Sequence, residues 1–135
     1  MRLAAALAAA LLLQPTGAAF RVIERGGQSR IEDARRVVVR SADQFAALWR
    51  QHSARPQPAV DFSKESVVGI FLGTRATAGY GVEVVSITRS ASGTLVRCVE
   101  VAPPADAVTA PVLTFPYVIV ATPLLRPPVQ FECAG

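Results

Sequence analysis

The sequence predicts a small α+β domain, an antiparallel β-sheet of roughly five to seven strands carrying one amphipathic helix. Three observations carry that prediction. From Val60 onward the chain is a succession of β-prone runs separated by turn-forming residues. A single stretch, Ala42 to His52, has helical period. Of 135 residues, setting aside an N-terminal export signal leaves roughly 115, enough for one hydrophobic core and too few for two.

The first residues read as that signal. Arg2 gives a positive start, Leu3 to Leu13 form an apolar run, and Gln14, Pro15, Thr16 and Gly17 break it. The run is shorter than the ~20 apolar residues of a spanning helix, so a membrane anchor is the weaker reading. Thr16-Gly17-Ala18 and Gly17-Ala18-Ala19 both offer small residues to a signal peptidase. Residues 1–19 are therefore read as a signal peptide cut near Ala19, after Ala18 or Ala19. The expected mature chain begins near Phe20, has no membrane span, and is periplasmic or secreted. No cysteine follows the apolar run, which argues against a lipid anchor.

Residues 20–59 are expected to form a hairpin and a helix of the same domain. Phe20 to Arg25 and Arg30 to Asp33 flank Gly26-Gly27-Gln28-Ser29, a natural hairpin connection, and Arg36 to Arg40 continue the β character. Ser41 and Gln44 have capping-box spacing, and Phe45, Leu48, Trp49 and His52 fall on one helical face. The helix should end before Pro56 and Pro58, with Trp49 anchoring it to the sheet. Residues 60–135 supply the main β portion: Val67 to Leu72, Tyr80 to Thr88, Thr94 to Val101, Pro116 to Thr122 and Val129 to Cys133, in a meander-like order. Ser90-Ala91-Ser92-Gly93 is a hairpin turn, whereas the proline-rich stretch from Pro103 to Pro111 is a long loop.

Composition narrows the function classes. Fourteen basic against ten acidic residues give a net charge of +4, but the charge is spread along the chain and is arginine apart from Lys64. A nucleic-acid surface would concentrate it, so no nucleic-acid partner is expected. Cys98 and Cys133 are expected to form a disulfide in an oxidising compartment, in preference to two buried thiols or one reactive thiol. Closing that loop of roughly 35 residues contributes about 3 to 4 kcal/mol on the chain-entropy account. His52, Cys98 and Cys133 lack the number and spacing of a zinc site, and nothing points to a cofactor. His52 lies on the apolar side of the helix, where packing is the commoner role than acid–base work. Glu83 and Glu100 lie on neighbouring expected strands, as cross-strand companions for arginines. The chain is accordingly read as non-enzymatic.

The segment Gly73-Thr74-Arg75-Ala76-Thr77-Ala78-Gly79-Tyr80 is the candidate site. Gly73 and Gly79 allow positive φ or close backbone approach, and Arg75 and Tyr80 bring a fixed charge and an amphipathic ring. Arginine and aromatic residues typically anchor protein interfaces. Arg75, Thr77, Gly79, Tyr80 and the nearby Tyr117 are therefore the candidate partner-binding residues. The competing reading is a turn that serves folding, with Tyr80 packed beneath it.

Leu48-Trp49, Val60-Asp61-Phe62, the run from Gly73 to Val84, and Pro116-Tyr117 together resemble the protease-complex subunit PrcB family, in its C-terminal domain. The family's pattern Gly-x-Arg-Pro-Thr-Gly-Gly-Tyr is matched by Gly73, Arg75, Thr77, Gly79 and Tyr80, with Ala76 and Ala78 departing from it. The resemblance implies an exported accessory or stabilising subunit whose partner is a secreted or surface protease. Two alternatives stand beside it. Thr77-Ala78-Gly79-Tyr80 and Arg126-Pro127 are weakly similar to loops of chagasin-like cysteine protease inhibitors, and an envelope structural protein without a protease partner would also fit.

Overall fold

The computed structural model describes residues 16–135; Arg2 and the apolar run Leu3 to Leu13 lie outside the described residues. In chain order the elements are β1 (Thr16–Gly17), β2 (Arg21–Gly26), β3 (Ala34–Val39), α1 (Ala42–His52), β4 (Glu65–Leu72), β5 (Gly81–Ser90), β6 (Gly93–Val101), β7 (Tyr117–Pro123) and β8 (Val129–Ala134). They form an α+β domain of two four-stranded sheets, ordered β2-β7-β4-β3 and β1-β5-β6-β8.

Side-chain alternation decides the layering. Along β4 and β7, Val67, Phe71, Tyr117, Ile119 and Ala121 face one way and pack with Phe45, Leu48 and Trp49 of α1. Their neighbours Val68, Ile70, Val118 and Val120 face the other way and meet Val82, Ile87, Val96 and Cys98 of the second sheet. The first sheet is thus covered on both faces, which is why β4 and β7 read as continuous apolar runs. The second sheet is covered on one face only, and its outer face carries exposed Glu83, Val85, Arg97 and Glu132.

The helix forms where its pattern predicts. Ser41 Oγ accepts from Gln44 N at 3.2 Å, and Gln44 Oε1 accepts from Arg40 N at 2.8 Å. Phe45, Leu48, Trp49 and His52 are its buried face, and Trp49 Nε1 donates to the Arg55 carbonyl at 2.8 Å just beyond its end.

Three expectations about pairing are corrected. The segments flanking Gly26 to Ser29 do not form a hairpin: Arg30 to Asp33 is not a strand, β2 pairs with β7, and β3 pairs with β4 at the opposite edge of the same sheet. The linking segment instead crosses the sheet's end, with Phe115 N donating to Gly27 O at 2.7 Å and Arg30 N to His52 O at 2.9 Å. The strands that are apolar on both faces take the centre, leaving the arginine-bearing β2 and β3 at the solvated edges. The strands after Val60 are also not a meander in one sheet, because the chain alternates between the two sheets. Finally, one pair is parallel, β6 with β8. Directly opposed Cys98 and Cys133 in that pair form the expected disulfide, their Cα atoms 4.4 Å apart.

Candidate functional site

The loop after β4 leaves the sheet at Gly73, whose φ of 81° is open to glycine and strained for other residues. It is then zipped to the 102–116 loop. Arg75 and Thr114 exchange backbone hydrogen bonds at 2.8 and 2.9 Å, Ala78 N donates to Ala110 O at 3.0 Å, and Thr114 Oγ1 donates to Thr77 O at 2.9 Å. Gly79 has a φ of 100°, and a Cβ there would stand 2.9 Å from Pro103. No non-glycine among the described residues has positive φ. Ala78 therefore fits the backbone where the family pattern carries glycine.

Arg75 is held inside this loop. Its Nε donates to Glu100 Oε1 at 2.6 Å, its Nη1 donates to the carbonyls of Leu72 and Thr74, and its Cζ lies 5.9 Å from the centre of the Tyr80 ring. The Arg75 hydrogen bond holds the Glu100 carboxyl below the usual carboxylate range against the opposing effect of burial. Thr77 is half-buried, and its hydroxyl donates to Ala78 O at 3.0 Å.

Gly79, Tyr80 and Tyr117 line one cleft of about 400 Å³, together with Gly81, Val82 and Val101. Arg25 and Glu83 stand at the same cleft, their charged groups 3.5 Å apart and more than half exposed. Arg75 and Thr77 do not line it. Arg75 faces a separate cleft of about 570 Å³, with Arg36, Glu100 and Gly135. The five candidate residues are thus divided: Gly79 and Tyr80 line the cleft above the buried Tyr117, Arg75 braces the loop through its guanidinium, and Thr77 joins the two loops through its carbonyl.

Sequence reading missed the residue that fixes Tyr117. The single oxygen Oε1 of Glu24 accepts from Tyr117 Oη at 2.6 Å, His52 Nε2 at 2.8 Å and Arg55 Nη2 at 2.5 Å. Burial would raise the Glu24 carboxyl, but the hydrogen bonds from Tyr117, His52 and Arg55 outweigh it and hold the group below its ordinary value. Burial, with the bond to Glu24, pushes the Tyr117 phenol well above the ordinary tyrosine range. On the other side of the ring, His52 Nδ1 lies 2.8 Å from Ser29 Oγ, which accepts from Ile31 N at 3.0 Å. Because a carboxylate only accepts, Nε2 carries hydrogen toward Glu24. One signal pointed this way: a histidine on an apolar helix face needs partners for both nitrogens.

Serine, histidine and carboxylate in a row is the order of a nucleophilic relay. Here Ser29 is 3% and His52 0% exposed, and the His52 ring is packed edge-on against Trp49, Phe71 and Tyr117. The arrangement ties β2, α1 and β7 together. Glu83 and Glu100 pair with Arg25 and Arg75 respectively. Among the described residues no group of three or more His, Cys, Asp or Glu side chains is placed to hold a metal, and no helix is long and apolar enough to cross a membrane.

The two segments that are weakly inhibitor-like are far apart. Gly81, next to the 73–80 loop, opposes Val101 at one end of the β5–β6 hairpin, whereas Arg126 hydrogen-bonds Thr94 near the other end. Neither a curated protein nor a solved structure matches the chain. Residues 66–123 match the family model described as PrcB C-terminal, a stretch that runs from β4 to the end of β7 and includes the whole loop and Tyr117. Over that stretch the chain is similar to the PrcB C-terminal family.

Proposed function

We propose that this chain is an exported, non-catalytic protein-binding domain, acting as an accessory or stabilising subunit of a protease complex. The observation that carries the reading is the cleft in which Gly79, Tyr80 and Tyr117 converge from separate segments of the family-matched region. It presents backbone and the partly exposed ring of Tyr80, with the buried Tyr117 at its floor, and Arg75 and Thr77 support it by holding the loop in shape. A non-catalytic role is supported by the burial of Ser29 and His52 within the relay-like trio. Export is supported by the N-terminal sequence and by the disulfide.

The accessory reading is preferred over the inhibitor reading because a wedge inserted into a protease cleft needs its loops at one end of the domain. Here the two segments concerned lie at opposite ends of a hairpin. The test is affinity capture of the tagged chain from its native envelope, followed by assay of the captured protease with added purified chain. Binding with unchanged or prolonged protease activity is expected. Stoichiometric inhibition would replace this reading with the inhibitor one, and capture of no protease would leave an envelope structural role in its place.

A further inference from the structure

We propose that the outer edge of β5 is a strand-acceptor site, at which an extended segment of a partner polypeptide adds antiparallel over Gly81–Val84 and places an apolar side chain in the neighbouring cleft. The proposal rests on the protein-binding reading above and gives it a mode of contact.

In the uncleaved chain the edge is used in part by Thr16 to Ala18, which cleavage near Ala19 would remove. β5 has ten residues, yet on the side away from β6 its strand partners are Thr16 and Gly17, opposite Arg89 and Thr88. Ala18 N adds a hydrogen bond to Ile87 O at 2.8 Å. The chain then crosses to the other sheet, where Arg21 pairs with Ala121. Among the described residues, Gly81 to Val84 and Ser86 have ladder partners on the β6 side alone, and Val85 has none.

Local chemistry sets the length and character of the guest. A register shift between Val84 and Ser86 interrupts the edge, and such bulges end pairing. The accepting stretch is thereby limited to Gly81–Val84. At Gly81 an added Cβ would meet nothing within 4 Å, so the face of the strand is open there for a side chain. Alternate side chains of the guest would face the cleft beside Tyr80, Val101 and Tyr117, favouring an apolar residue. The charges at the cleft, Arg25 and Glu83, already pair with each other, which favours an uncharged guest. A second copy is a poorer guest: antiparallel pairing of two β5 edges centred on this stretch would bring the two Glu83 carboxylates close together.

The test uses the full chain, isotopically labelled, and a capped octapeptide of alternating threonine and valine as probe. Its control is the same peptide with proline at alternate positions, which cannot donate ladder hydrogen bonds. The expected result is at least about tenfold slower amide exchange within Gly81–Val84 with the probe and no slowing with the control. Absence of slowing, equal binding of the two peptides, or a dimer whose interface is β5 would each overturn the proposal. The two readings fail separately. If Gly81→Trp abolishes protease capture while the probe protects nothing, strand addition is wrong and cleft binding stands. If the probe protects the edge and Gly81→Trp leaves capture unchanged, the edge is an acceptor and the cleft is not the partner's site.

Discussion

Arg75 Nε donates to Glu100 Oε1 at 2.6 Å, joining the loop after β4 to the far end of β6. Both side chains are about a quarter exposed, so this is a partly desolvated pair that also carries two carbonyl contacts. The guanidinium thereby sets the loop's shape as well as its charge.

Replacing Arg75 with alanine should lower stability by about 1 to 3 kcal/mol, the range for a hydrogen bond to a charged group. Thr77→Ala should change stability by less than about 0.5 kcal/mol, because the loop contact uses the Thr77 carbonyl and the hydroxyl bonds its neighbour's carbonyl. Denaturant titration of the two variants checks the contrast, and equal effects would contradict it.

Glu24→Gln should be more damaging than Tyr117→Phe. The first weakens three hydrogen bonds at one oxygen and should cost about 2 to 3 kcal/mol; the second removes one and should cost about 1 to 2 kcal/mol. Urea unfolding of each variant provides the comparison, and a greater loss in Tyr117→Phe would argue against Glu24 as the shared acceptor.

The same carboxylate predicts acid sensitivity. Glu24 and Glu100 are both held below the ordinary glutamate value of 4.5, so the folded state binds fewer protons than the unfolded state. Their contribution is fully present above that value and is lost as pH falls through the lower folded values. Melting temperature should therefore fall on acidification below about 4.5, and the fall should be shallower in Glu24→Gln than in the parent. Parallel pH profiles for the two proteins would contradict the assignment.

Gly79→Ala should destabilise by about 1 to 2 kcal/mol, because its φ of 100° is strained for a side chain and Pro103 stands in the way. Restoring the family's glycine with Ala78→Gly should not stabilise the protein, since Ala78 has no positive φ to relieve. Thermal melts of both variants, with a gain in Ala78→Gly as the contrary result, decide the matter.

Much of this was legible in the sequence. The helix was fixed by local rules: a serine cap, a four-residue apolar face and prolines beyond. The strands of the second half were marked by β-prone runs between turns. The pairing was not legible, because Gly26-Gly27-Gln28-Ser29 has the chemistry of a hairpin turn and only the both-face burial of β4 and β7 sends β3 to the opposite edge. The loop from Gly73 to Tyr80 stood out for its composition. Its division into a braced Arg75 and a cleft-lining Tyr80 depends on Glu100 and Thr114, which are distant in sequence. Glu24 was hidden because a register shift after Val22 breaks the strand alternation that would place its side chain.

The cleft as the partner's site is tested most directly by the affinity of the captured protease for the full chain and for Gly81→Trp, a substitution made where a side chain meets open space. The account predicts a loss of at least about tenfold, more than about 1.4 kcal/mol of binding, with an unchanged melting temperature. Equal affinity for the two proteins at equal stability would contradict it.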